Sequence, residues 1–148
     1  MKYQKVKLHK FGFFLLLWVT AIVFYCDTFS ASPKEEVIRA IKLQWEKPDY
    51  LVAVPVVAVR QEFAIADWLQ GNRGGRAMLR KMHGVWQTLA CGDAKMKTVA
   101  QLKQFGVPEP QAQLLIQALN EQEQHLTQEE LQVIDGFSGI MELRQHHH

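Results

Sequence analysis

Residues 63–91 read FAIADWLQ-GNRGG-RAMLRKMH-G-VWQTLAC, three runs of seven or eight residues rich in apolar and β-compatible side chains, parted only by short glycine-bearing gaps. A parallel return between two strands needs a crossover of about a dozen residues or more, so gaps this short force the chain to turn straight back. The stretch therefore predicts an antiparallel meander with strands at Phe63–Gln70, Arg76–His83 and Val85–Cys91.

Working upstream, Tyr50–Gln61 carries Val52, Val54, Val56, Val57 and Val59. That density of β-branched residues favours a strand, and Pro55 assigns it to an edge or a bulge. Before it, Ser32-Pro33-Lys34-Glu35-Glu36 leads into Val37, Ile38, Ile41, Leu43 and Trp45, the pattern of a capped amphipathic helix from Pro33 to Trp45. Lys47-Pro48-Asp49 ends it.

Downstream the period changes. Thr98 can cap a helix to about Phe105, Gly106 and Pro108 break the chain, and Leu114, Leu115, Ala118 and Leu119 stripe a helix over Gln111–Gln124. Thr127-Gln128-Glu129-Glu130 is a capping box that opens a last helix to about Ile134. Strands followed by helices give an α+β fold: an N-terminal helix, a four-stranded antiparallel meander, and C-terminal helices packed on one sheet face. At 148 residues and 48% hydrophobic content, one core is expected, over residues 31–145.

The beginning of the chain has another character. Lys2, Lys5, Lys7 and Lys10 precede an uncharged run from Phe11 to Cys26, an n-region and an h-region. The run is shorter than the ~20 residues of a comfortable membrane span. Residues 1–30 therefore read as a signal peptide cut after Ser30, or as an uncleaved anchor, and the domain as periplasmic. Val23-Phe24-Tyr25 lacks the small residue that lipidation of Cys26 requires before it. The first thirty residues hold four lysines and one aspartate, a net +3 of the chain's formal +2, so the remainder is near −1. Nucleic-acid binding loses its electrostatic support, and membrane contact is expected only through the N-terminal segment.

No nucleophile elbow, phosphate-cradling glycine loop, HExxH or CxxC is present, and Asp67, Asp93 and His83 share no catalytic spacing. A non-enzymatic protein is expected. Met78, Met82, His83, Cys91 and Met96 lie within nineteen residues, and thioether, imidazole and thiolate together suit Cu(I). Strand alternation sets His83 on the face opposite Met78 and Met82, and methionines on strands also serve as core filler. His146, His147 and His148 form either a metal-binding tail or the remnant of a purification tag. The turn around Arg73 and Arg76 offers two guanidiniums for an anion or a partner, or is simply a hairpin turn.

At Ala64-Ile65-Ala66-Asp67-Trp68 and Gln70 through Leu79, then Gly84-Val85-Trp86, Leu89-Ala90-Cys91-Gly92-Asp93 and Phe105-Gly106-Val107-Pro108, the chain resembles small exported bacterial proteins called copper uptake system-associated proteins. The resemblance covers essentially the whole chain after the N-terminal segment. It implies a role in copper acquisition outside the inner membrane, a copper ion as cofactor, and copper uptake or envelope transport components as partners. Relatives share Cys91 and the Gly-Arg-Gly-Gly turn, and some end in histidines. They replace Met78, Met82 and Met96, which moves the expected ligand set toward Cys91 and the tail, with His83 and Met82 secondary. Two readings follow: an accessory that binds or hands on copper, and a metal-free interaction module of an envelope uptake complex.

Overall fold

A computed structural model describes residues 30–143. The segment read as signal or anchor, apart from Ser30, and the histidines at 146–148 lie outside the described residues. The elements are α1 (Pro33–Trp45), β1 (Ala53–Arg60), β2 (Phe63–Gln70), β3 (Arg73–Met82), β4 (Val85–Gly92), a 3-10 turn (Ala94–Lys97), α2 (Val99–Gln104), α3 (Glu109–Glu123), α4 (Gln128–Asp135) and β5 (Ile140–Glu142). The fold is α+β.

All five strands run antiparallel in chain order, β1-β2-β3-β4-β5. Each of the three hairpins between β1 and β4 turns on two residues. Arg60 pairs with Phe63, Gln70 with Arg73 and Met82 with Val85. The last turn places His83 at φ 50° and Gly84 at φ 80°, two consecutive left-handed residues as a type I′ turn demands.

Three expectations are corrected. The meander has five strands, because after α4 the chain turns at Gly139 (φ 76°) and lays Ile140–Glu142 along β4. Three residues are too few to show alternation in sequence. The predicted five-residue connection Gly71–Gly75 is a two-residue turn with Arg73, Gly74 and Gly75 already inside β3, since flat glycines let neighbouring groups close on that strand. An ideal Cβ on Gly75 would lie 2.8 Å from the Phe137 ring. Finally, helices cover both faces of the sheet.

On one face α2 and α3 bury Leu102, Ala112, Leu115 and Leu119 against Val56, Ile65, Met78 and Ala90. On the other, α1 buries Val37 and Ile41 against Val57, Ala64, Ala77, Leu79 and Trp86. Each fully buried aliphatic side chain contributes about 1.5–3 kcal/mol. Alternation explains the division: Ile65 and Met78 pair across β2 and β3, Ala64 pairs with Leu79, and the two pairs point opposite ways.

Helix α1 is fixed at both ends. Ser32 and Glu35 exchange capping-box hydrogen bonds of 3.3 and 2.7 Å. The Glu36 carboxylate accepts from Lys81 Nζ at 2.6 Å and Trp86 Nε1 at 2.9 Å. Where α1 meets the following turn, Glu46 accepts from the Val52 N–H at 3.0 Å.

Gly92 is a close-packed point: an added Cβ would come 2.5 Å from Met96 Cγ and 3.0 Å from Ile140. Gly92→Ala is expected to cost about 1–3 kcal/mol through overpacking, read as a lower urea midpoint, with β5 the first element to lose hydrogen-exchange protection.

Candidate functional site

At one end of the sheet the β2–β3 turn, the C-terminal end of α1 and the α4–β5 connection surround a half-open cleft of about 1040 Å³. Its walls are held by specific contacts. Gln70 Nε2 donates to the carbonyls of Trp45 (3.2 Å) and Tyr50 (3.0 Å), fastening the end of α1 and the next turn to β2. On the other side Phe137 lies over Gly75 and meets Trp68 edge-on, with ring centroids 6.1 Å apart at 80°. Trp45, Trp68 and Phe137 give the cleft an aromatic wall, buried Cys91 lies at its inner end, half-exposed Met141 also lines it, and Arg73 and Lys47 stand at its rim.

Cys91 owes its direction to a bulge. The β3–β4 register steps from Met78↔Ala90 to Leu79↔Thr88, leaving Leu89 unpaired. That extra residue resets the alternation, so Ala90 packs with Ile65 and Met78 while Cys91 joins Trp86, Ala77 and Trp68 on the opposite face. The thiol is 2% exposed. Burial pushes its pKa up to about 12, offset in small part by the nearby indole N–H of Trp68, which is itself buried without a hydrogen-bond partner. A neutral thiol is a poor nucleophile. In a Cys26→Ser chain, Cys91 is expected to react with iodoacetamide at pH 8 at least roughly a hundredfold more slowly folded than in urea; equal rates would refute the closed, neutral thiol.

The sequence-expected ligands do not converge on Cys91 among the described residues. His83 is an exposed turn residue and Met82 ends β3 beside it, at the far end of β4 from Cys91. That separation is about 20 Å along the strand. Met78 and Met96 are fully buried in the core on the other sheet face from Cys91. Among the described residues there is no group of three or more His, Cys, Asp or Glu side chains placed to hold a metal ion. What does approach Cys91 is Met141, its register partner on β5, which also lines the cleft.

Of the two arginines offered as partner contacts, only Arg73 is exposed. Arg76 is fully buried and reaches Glu123 Oε1 through Nη2 (2.7 Å) and Nε (3.1 Å), and Asp135 Oδ1 through Nη1 (2.5 Å). Lys97 Nζ completes Glu123 from the other side at 2.6 Å. Arg76 thus ties β3 to the ends of α3 and α4, a packing role in place of the expected surface role.

Asp67 stands beside this network, fully buried, with Oδ1 3.3 Å from Arg76 Nε. Neither of its oxygens accepts a hydrogen bond. Arg76 and Lys97 already balance Glu123 and Asp135, so Asp67 is the surplus acid. Burial drives its pKa up to about 8, Arg76 opposes, and the neighbouring Glu123 carboxylate raises it further. Asp67 is thus the carboxyl of this cluster whose protonated form burial and the neighbouring acid favour. Chemically it is sealed: Asp67, Arg76 and Glu123 do not line the cleft.

Sequence reading missed Trp45, Trp68, Phe137 and Met141 as cleft residues. The tryptophans look like ordinary core, and Phe137 and Met141 sit in a segment without periodicity. The glycine pair Gly74-Gly75 was the available signal, since a strand gives up two side chains where other groups must come close. Comparison of the chain with family models, with curated proteins and with solved structures gives no match.

Proposed function

We propose that the chain is a non-enzymatic accessory protein of copper uptake, exported to the periplasm, which acts by holding a ligand or partner group in the Trp45–Trp68–Phe137 cleft without a metal of its own. The copper context rests on the family resemblance. The observation that carries the mode of action is the aromatic cleft fastened by Gln70 on one side and Phe137 on the other, with a neutral thiol at its inner end. Aromatic walls with a few polar groups at the rim are the ordinary make-up of a binding site.

A second reading, that the chain binds or hands on copper through Cys91, is favoured by one observation: Met141 lies opposite Cys91 in register, and His146 follows five residues later in sequence. Thiolate and thioether suit Cu(I). Against it, a thiol held at about 12 in place of 9 resists deprotonation by about 4 kcal/mol, which a metal must overcome.

Titration of the full chain with Cu(I) and Cu(II), beside Cys91→Ala and a truncation ending at Gln145, separates the two. The metal-free reading expects no binding tighter than that of free histidine. Sub-micromolar binding lost in Cys91→Ala or in the truncation would replace it with a copper carrier. In cells limited for copper, Trp45→Ala is expected to reduce copper accumulation as far as deletion of the protein does, while Cys91→Ala leaves it unchanged.

A further inference from the structure

The chemistry of the cleft is more specific than its shape. Its volume of about 1040 Å³ matches a ligand of drug-like size and far exceeds what a bare ion fills. Four aromatic side chains line it, Trp45, Tyr50, Trp68 and Phe137, and their flat faces and edges favour a flat, conjugated guest over a flexible aliphatic one. The thiol at the inner end is neutral, so the interior holds no charge to repel or attract a polar group.

Charge is confined to the rim, and it is lopsided. Arg73 and Lys47 are both exposed, both line the cleft, and neither forms an ion pair among the described residues. Arg76 is paired with Glu123 and Asp135, Lys81 with Glu36 and Lys42 with Glu46, while Arg39, Arg60 and Arg80, which form no ion pair among the described residues, do not line the cleft. Glu129, at the start of α4, is the one carboxylate among the lining residues. The rim therefore carries a net charge of +1 in a chain whose remainder after residue 30 is near −1.

We propose that this cleft is a small-molecule site for a flat aromatic organic anion, its ring system against Trp45, Trp68 and Phe137 and its acid group against Arg73 and Lys47. The inference rests on the reading of the cleft as the binding site and names the class of ligand it takes. Arg73 supplies a planar fork that matches a carboxylate, and Lys47 a second point charge. The site is preformed, since Gln70 and the Trp68–Phe137 contact hold both walls, so the ligand is spared the cost of assembling it.

Calorimetric titration of the full chain with 2-naphthoate and with its uncharged analogue 2-naphthamide tests the proposal. The acid is expected to bind in the micromolar to sub-millimolar range and the amide more weakly. Arg73→Gln should weaken the acid roughly two- to fivefold and the Arg73→Gln/Lys47→Gln pair roughly tenfold, with the amide unaffected. Both residues are exposed, so circular dichroism of the variants should be unchanged. Phe137→Ala should weaken acid and amide alike. Equal binding of acid and amide, insensitive to Arg73, would overturn the anion preference while leaving the cleft as the binding site. If neither probe binds at millimolar concentration, the small-molecule site falls, while the cleft as the seat of a partner group stands or falls with the Trp45→Ala result.

Discussion

Arg76→Met is expected to lower the unfolding free energy by roughly 3–5 kcal/mol, the cost of breaking a buried ion cluster by removing one partner. Methionine fits the space but leaves Glu123, 5% exposed, with only Lys97, and takes from Asp67 the cation nearest it. Asp135 is better placed to survive, because its side chain is 46% exposed and water can replace the guanidinium. The damage should centre on Glu123. A second change that removes that charge, Arg76→Met with Glu123→Gln, is expected to recover a sizeable part of the loss, since the uncompensated carboxylate is what costs most. For a domain of this size the single change should depress the melting temperature by roughly 10–20 °C. A loss under about 1 kcal/mol would mean that the three-way contact of Arg76 does not hold β3 to α3 and α4.

The position of Arg76 shows why sequence reading carried so far and no further. Strand periodicity, hairpin spacing and helix caps are local, so Phe63–Gln70, Val85 onward and the Thr127 box could be read directly from the chain. A charged residue in the glycine-rich stretch after β2 looks like a surface residue by the same local rules. Its partners Glu123 and Asp135 lie 47 and 59 residues away, each in the last turn of a helix, where an acid is locally unfavourable against the helix dipole. That small local conflict was the only trace of the network. The cleft was hidden for the same reason: Trp45, Trp68, Phe137 and Met141 come from four separate segments, and a three-residue strand, β5, brings Met141 to Cys91. The bulge at Leu89 is equally silent, because nothing in VWQTLAC marks which residue drops out of the alternation that turns Cys91 away from Met78 and Met96.

Stability should fall as pH rises from 6 to 8, and the fall should vanish in Asp67→Asn. Asp67 is faced by Arg76 from β3, Glu123 from α3 and Lys97 from the 3-10 turn. Its folded pKa of about 8 lies above the ordinary value of 3.8 that applies once the chain unfolds. The folded state therefore holds a proton that the unfolded state releases. Stabilisation from that proton is complete below the unfolded value and is lost as pH climbs through the folded one, at about 1.4 kcal/mol per unit within the window. Across pH 6–8 the loss is roughly 2–3 kcal/mol. Asparagine offers the same shape and a permanent N–H donor to Glu123, so it mimics the protonated acid at every pH and should be the more stable form at pH 8. The comparison is best kept below pH 8.5, because Cys91 adds its own loss beyond that point: its folded thiol is held near 12 while an unfolded one ionises near 9. Parallel urea titrations of the two chains at pH 6, 7 and 8 decide the matter. Parallel curves would place the proton elsewhere and return Asp67 to the role of an ionised partner of Arg76, with five charges held in the same small volume.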